Sequence, residues 1–449
     1  MSDIIAERAV VIGAGMGGLA AAKAIAPYFE QIVVLDRDAL PEEAAPRIGT
    51  PQARHAHTLL AAGERALEEL FPGIGSDFKK AGAVIVRIGR DVVFERPGYG
   101  PFPRRDLGFD QVFLSRPALE RVCRRRLEEA PNVEIRSRAR VVDLVPSADR
   151  EAVACVRHED DTGNMQELAC DMVVDASGRG VPTLSFLERV GSPKPEQTEI
   201  GVDVGYASAI FEPSDEPRDW MGLAHPGRPP YDGRCAFIFP IENGRWLVSL
   251  GRCPSGEMPS DVASFVDFTK TFRTPSVWEA LRTAKPVTDV ARFGLPASVR
   301  RHFHKLERWP RGLVPIADSI CRFNPLFGQG ISVAAIEAIV LGQLLAKKVE
   351  SSDPLDGLGR DFLAAIQETL EAPWSVAISD FGYAHTTGEP PSDLARRLQY
   401  SQALVRLAAQ DADVHKLLVE VTQLLRPQSA LREPAIAERI EALMAPAAA

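Results

Sequence analysis

Three glycines and one acid near the N-terminus carry the first legible chemistry. Gly13, Gly15 and Gly18 follow an apolar run at residues 9–12 and open an alanine-rich stretch at 19–25, and Asp36 closes a second apolar run at 31–35. Strand, glycine turn, helix, strand and terminal acid form a βαβ unit of the dinucleotide-binding kind. Gly13 permits the tight turn, Gly15 lets the backbone approach a pyrophosphate, and Gly18 lets helix and strand pack closely. Free N–H groups and the dipole at the helix start attract phosphate. Gly13, Ala14, Gly15, Met16 and Gly18 therefore make a candidate phosphate loop. Asp36 can accept hydrogen bonds from a ribose diol and disfavours a 2′-phosphate, with Arg37 beside it as a weaker opposing charge. FAD or NAD fits this unit better than NADP.

Two later stretches repeat the pattern of strand, acid and turn. Residues 172–175 are apolar and end in Asp175, followed by Ala176-Ser177-Gly178-Arg179. Residues 312–316 read as another strand, and Asp318 follows it. Pro325, Phe327, Gly328 and Gly330 then lead into Ile331, where a helix to residue 347 is predicted.

Other elements must hold these stretches together. Residues 53–71 have helical periodicity, residues 84–88 and 92–94 read as strands, and a Gly/Pro-rich loop spans 97–103. A helix over 115–129 has Ser115 as its cap and Pro117 in its first turn. Strands are predicted at 133–145 and 152–158. Between 201 and 295 the strands lengthen: 202–211, 235–241 and 246–251, the last two joined by Asn243-Gly244, a strong hairpin signal. Helices follow at 358–371, 393–407 and 413–425, with a weaker one near the end. The fold class is α/β, with an antiparallel sheet inserted into a nucleotide-binding body.

Composition narrows the partners. The chain has 449 residues, 45% hydrophobic and 25% charged, with a formal net charge of −9, so no overall basic field invites nucleic acid. Arg121 and Arg124-Arg125-Arg126 read as a solvated helix face. The six cysteines lack CxxC spacing and read as free thiols. No signal peptide is visible, and no apolar run is expected to reach the roughly 18 residues of a spanning helix, so the expectation is a cytoplasmic protein. His55 and His57 would not share a helix face, and no metal site is predicted.

Residues 13–18, 172–179 and 312–330 together make the chain resemble the class A FAD-dependent monooxygenases, the superfamily of para-hydroxybenzoate hydroxylase. The resemblance covers most of residues 8–350. A narrower likeness, to polyether-type flavin epoxidases, rests on residues 51–57, Leu59-Leu60, residues 70–73, Ala372-Pro373-Trp374, Asp380 and Gly388. It implies a Rossmann-type FAD-binding domain (1–200, with an excursion at 72–112 toward the substrate domain), a mainly antiparallel substrate-domain sheet (201–300), a return to the FAD-binding domain (301–350) and C-terminal helices (351–449). The implied cofactor is FAD, with NADPH or NADH as transient co-substrate.

Carried onto this sequence, the resemblance puts Asp318 on the ribityl chain or diphosphate, and the helix start at Gly328, Gly330 and Ile331 against the pyrimidine edge of the flavin. Arg116 would contact the FAD and Val141 would face the adenine through its backbone. Arg47 joins the cofactor residues, and Asp175 supports the cofactor or the nicotinamide. Gln52, His55, Phe237, Phe239, Pro325 and Phe327 would line the substrate cavity. Phe237 and Phe239 alternate with Ile238, so one set faces the cavity. The chain departs from the family at Ala317, where relatives carry glycine and alanine is acceptable at negative φ, and at the Asp-Ala-Ser-Gly-Arg turn.

The implied reaction is reduction of FAD by NAD(P)H, formation of a flavin C4a-hydroperoxide with O2, and oxygen transfer to a small apolar arene or alkene. No acid–base residue is assigned. FAD-dependent prenyl or alkene reductases, and two-component oxygenases fed with FADH2 by a separate reductase, are alternatives, as is a non-enzymatic escort-type protein on the same fold. The tryptophan-rich motif expected of flavin halogenases is missing.

Overall fold

Residues Ala6–Ile12 are small or β-branched toward their end because both faces of that strand are covered. Val11, Val34, Val174 and Val314 share the large core under the helices, while Val10, Val33, Val173 and Leu313 point into a second cluster on the other side. The computed structural model, which describes residues 3–96 and 101–444, joins these segments into one five-stranded parallel sheet. Its order is Leu313–Pro315, Met172–Asp175, Ala6–Ile12, Phe29–Leu35, Val133–Arg136. The mid-chain strand therefore lies beside the first, the late strand lies beside the mid-chain one, and all three end at the same edge. The strand order reverses beside Ala6–Ile12, and such switch points, at the carboxyl ends of parallel strands, are where α/β sheets bind ligands.

Helix Met16–Ile25 follows the glycine turn, and the late helix Gly330–Lys348 packs against it. The close approach needs small residues: Gly342 sits against the Ala24 carbonyl. The late helix has a mean hydropathy of 1.6 over its most apolar window, enough by length and composition to cross a membrane, contrary to the sequence expectation. Its apolarity has a core role here, since Val333, Ala334, Ala338, Leu341 and Leu345 are at most 3% exposed.

A seven-stranded sheet supplies the second body. Strand Val204–Glu212 pairs antiparallel with Arg245–Arg252, which pairs with Cys235–Ile241. Asn243 and Gly244 turn that hairpin with φ of 64° and 65°, the left-handed pair that the dipeptide favours. The short strand Val92–Phe94 adds itself in parallel to Gly222–His225, so the early excursion joins this sheet. Of the predicted loop at 97–103, residues 97–100 lie outside the described residues.

The helix expected over 53–71 is shorter. Pro51–Arg54 form a single 3-10 turn, residues 55–60 are in no helix, with His55 and Leu60 extended, and the helix spans Ala61–Leu70. Local periodicity loses to tertiary bonds here: Ala56 N–H donates to Ser249 Oγ at 2.7 Å and Leu60 N–H to Ser332 Oγ at 2.9 Å. The strand expected over 133–145 breaks at Arg138, whose φ is 55°. The C-terminal helices fold back on the body, and Gln423 Oε1 accepts the Ala61 N–H at 2.8 Å, satisfying a free donor at that helix start.

Candidate functional site

At the end of the first strand, Gly13 has φ 98°, and a Cβ there would lie 2.8 Å from the Ala176 carbonyl oxygen. A Cβ on Gly18 would lie 1.8 Å from the Gly13 carbonyl oxygen, so only glycine fits. Gly15 is different, because it faces two guanidinium groups: a Cβ there would be 3.9 Å from both Arg47 Nη2 and Arg116 Nη2. Two cations beside an open backbone at a helix start suit a diphosphate.

Carboxylates hold both arginines. Arg47 bonds Glu120 at 2.8 Å, Asp38 at 2.8 Å and both oxygens of Asp36 at 3.1 Å. Asp36 also accepts the Ala14 N–H at 2.7 Å, so a ribose diol at Asp36 would displace the Arg47 contact. Arg37 is exposed and turned toward Asp38. Arg116 is 9% exposed, bonded to Glu120, and so is not a surface salt bridge. Val141 lies just past Ala139, whose N–H donates to the Asp36 carbonyl.

Asp318 follows the late strand, and its carboxylate accepts no hydrogen bond among the described residues. Its Oδ1 is 3.9 Å from where a Gly330 Cβ would be, at the positive end of the late helix. Burial raises its pKa, while Arg322, Arg116 and Arg301 pull it down. Arg116 thus acts on both glycine motifs. Gln329 is 3% exposed, and its Oε1 has no partner. An open carboxylate, an orphaned amide at the same helix start and an arginine-flanked glycine loop, linked by Arg116, fit an extended dinucleotide such as FAD.

Ala317 adopts φ 58°, so the condition on which alanine was expected to be tolerated is not met. The strained turn has a buried support: Ala317 N–H donates to Glu337 Oε2 at 2.7 Å. Glu337 is fully buried, its Oε1 has no partner, and burial pushes its pKa up to about 8. Asp175 is taken up by the protein, accepting from the Ser177 and Thr183 amides and the Thr183 hydroxyl. Its side chain holds the turn before helix Val181–Arg189.

The cavity side is built by the segment at 55–60 and one face of the large sheet. Tyr206, Ser208, Ser249, Phe237 and Phe239 share that face, and Ile238 packs into the core on the other. Phe237 and Phe239 are thus the set on the side of residues 55–60, and Ile238 is on the side of the covering helices. His55 reaches the sheet at Ser208, and Thr58 Oγ1 reaches the Gly328 carbonyl at 3.2 Å, so the segment spans from sheet to late helix. A Cβ on Gly328 would collide with Thr58. Tyr206 donates to Asn324 Oδ1 at 3.0 Å, and Asn324 Nδ2 donates to Asp380 at 3.0 Å. Burial raises the Asp380 pKa to about 7. Leu326, between Pro325 and Phe327, approaches Gly251 on the sheet. Gln52 is half-buried in the turn before His55.

Tyr206, Ser208, Ser249, Asn324, Gln329 and Glu337 escaped the sequence reading. Only Asn324 had a local signal, as the residue before Pro325 at a helix approach. Arg124, read as part of a solvated face, is 7% exposed and bonds the Pro41 carbonyl.

No family model matches the chain. Protein Rv3254 of Mycobacterium tuberculosis (strain ATCC 25618 / H37Rv) is 30% identical over 398 residues, which cover 86% of this chain and 82% of that protein. The chain belongs to the Rv3254 family. Digeranylgeranylglycerophospholipid reductase 2 of Methanopyrus kandleri is 26% identical over 357 residues, 77% of this chain and 78% of the relative. Among solved structures, a flavoprotein/dehydrogenase from Cytophaga hutchinsonii superposes with a TM-score of 0.69 at 14% identity, covering 98% of each chain. The flavin-dependent brominase Bmp2 gives 0.67 at 15% over 98% of each. PqsL, a probable FAD-dependent monooxygenase from Pseudomonas aeruginosa, gives 0.60 at 16%, covering 83% of this chain and 96% of its own. This member of the Rv3254 family thus has the class A flavin monooxygenase fold. These relatives do not speak to the polyether-epoxidase branch.

Proposed function

We propose that the chain is an FAD-dependent monooxygenase that uses NAD(P)H and O2 to hydroxylate or epoxidise a small apolar arene or alkene. The observation that carries this is the place of Arg116, which lies beside Gly15 together with Arg47 and also acts on the Asp318 carboxylate at the late helix start. The turn before that helix meets the large sheet, where Tyr206 bonds Asn324 and Leu326 approaches Gly251. In this reading the adenosine end lies by Asp36, the diphosphate by Gly15 and Arg116, and the ribityl chain by Asp318. The start of the late helix, with Gln329, Gly330 and Ile331, takes the pyrimidine edge. Bound FAD, once reduced, would supply electrons to O2 for transfer of one oxygen atom.

The chain's own residues position and shield. The segment at 55–60 holds sheet and late helix together through His55, Ala56, Thr58 and Leu60. Phe237, Phe239, Leu326 and Phe327 supply apolar walls that exclude water, as oxygen transfer requires. Asp380 and Asn324 set the turn before the late helix, because Asn324 Oδ1 also accepts the Leu326 N–H. In this reading the substrate packs against these apolar walls.

Anaerobic stopped-flow mixing of the FAD-loaded protein with NADH or NADPH, with and without a panel of apolar arenes and alkenes, tests the reading. Flavin bleaching is expected, followed by incorporation of one 18O from 18O2 into a product. No bleaching under any condition removes the single-component oxygenase and favours supply of FADH2 by a separate reductase. The Methanopyrus relative favours a second reading, reduction of a prenyl or other alkene on the same FAD. That reading predicts substrate-dependent flavin reoxidation without consumption of O2.

A further inference from the structure

His55 is 6% exposed, yet one of its ring nitrogens, Nε2, has no partner among the described residues. Nδ1 lies 2.7 Å from Ser208 Oγ, which lies 2.6 Å from Ser249 Oγ, which accepts the Ala56 N–H at 2.7 Å. A backbone N–H only donates, so one end of this chain has a fixed direction. If Ser249 donates to Ser208 and Ser208 donates to Nδ1, each hydroxyl hydrogen has an acceptor. Reversing the direction leaves the Ser249 hydrogen with none among the described residues. The first arrangement leaves one group unmet, Nε2–H, against two in the reverse, the Ser249 hydrogen and a bare Nε2, so it makes Nδ1 the acceptor and puts the ring proton on Nε2.

Nε2–H is then a buried donor with nothing to bond. The ring lies beside Tyr206 and Phe293, whose centroids are 5.9 and 5.7 Å away, on the face of the sheet that bears Phe237. Tyr206 donates its hydroxyl hydrogen to Asn324, and no contact from it reaches Nε2. Buried donors are nearly always satisfied, and an unmet one beside apolar rings marks the place of an acceptor from outside the chain. Burial and the charge of Arg54 hold the ring's pKa down to about 4, so it stays a neutral donor through the physiological range.

We propose that His55 binds the substrate, donating from Nε2 to an uncharged oxygen acceptor on an otherwise apolar arene. This rests on the flavin monooxygenase reading and narrows its substrate to an arene bearing a carbonyl or similar oxygen. Ser208 and Ser249 act through His55 as positioning residues, holding the tautomer.

Two near-isosteric probes test this: 2-acetonaphthone, and 2-isopropenylnaphthalene, in which C=CH2 replaces C=O. Each is titrated into the FAD-loaded protein while the visible absorbance of the flavin is followed. The ketone is expected to bind about tenfold more tightly, the worth of one good hydrogen bond. His55→Phe and Ser208→Ala should each reduce that preference to within about twofold while changing hydrocarbon affinity by less than about threefold. Histidine 15N–1H NMR should find the His55 proton on Nε2 between pH 6 and 8. Equal affinities in the wild-type protein, no binding of either probe, a preference that survives in His55→Phe, or a proton on Nδ1 would each overturn the proposal. A chain that holds no FAD would instead sink the monooxygenase reading, and the NMR measurement, which needs no flavin, would still decide the tautomer.

Discussion

Ser208 and Phe211 stand three residues apart on one strand and face opposite environments. Phe211 belongs to the far face, where Ala207, Ala209, Ile238, Val248 and Leu250 pack on Phe265 and Val277 of two covering helices. The far side holds one polar island, Glu95, which accepts from Thr274 and Ser276 and pairs with His225 at 2.8 Å. That island leaves no buried side-chain atom unpartnered. Ser208 belongs to the near face, where hydroxyls and amides are joined in lines that end at open groups, such as His55 Nε2. The far face is filled by the chain's own side chains, and in the proposed function the near face is completed by ligands. Period-2 alternation lets the same strands serve both ends.

The largest effect that would break this comparison is on the far face. Phe265→Ala removes a fully buried ring and should cost about 3–5 kcal/mol of stability in chemical denaturation, with FAD affinity of the folded protein unchanged. A loss below about 1 kcal/mol would mean that the covering helices are not a true core.

Next is the buried acid that accepts the Ala317 N–H, Glu337. The folded-state pKa of Glu337 is raised from 4.5 to about 8, so its protonated form favours the fold. That stability is present in full below pH 4.5 and is lost as pH rises through about 8. Glu337→Gln keeps an acceptor for Ala317 N–H and cannot ionise. It should gain about 2–4 kcal/mol over wild type at pH 9 and nothing at pH 4, read from urea midpoints.

A smaller effect sharpens the near side. Asp318→Asn should weaken FAD binding by about 10- to 100-fold, roughly 1.4–2.8 kcal/mol, while the unfolding midpoint of the flavin-free protein stays put. A shared loss of both would make Asp318 a structural cap. Smallest is Ser115→Ala, where loss of the cap on the Ala118 N–H should cost about 1 kcal/mol in thermal or urea unfolding.

Much of the nucleotide half was legible because its signals are local. Gly13, Gly15, Gly18 and Asp36 fall within one βαβ unit, and Asn243-Gly244 needs only its own two φ angles. The substrate half was less legible because its polar groups are paired across long sequence separations: Ser208 with Ser249, Tyr206 with Asn324, and Asn324 with Asp380. Nothing near any of them in sequence announces the partner. Residues 55–60 were misread as helix for the same reason, since bonds to Ser249 and Ser332 override their periodicity. Ala317 shows the limit of transferring a motif. Its left-handed turn is kept without glycine, and Glu337, twenty residues on, accepts its N–H.

The most direct test of the account is a crystal structure of the chain grown with FAD. The adenosine should lie by Asp36, the diphosphate beside Gly15 and Arg116, and the isoalloxazine ring between Gly328–Ile331 and the sheet face of Tyr206, Ser208 and Ser249. An isoalloxazine ring ordered anywhere else, or a dinucleotide that never reaches Asp318, would contradict it.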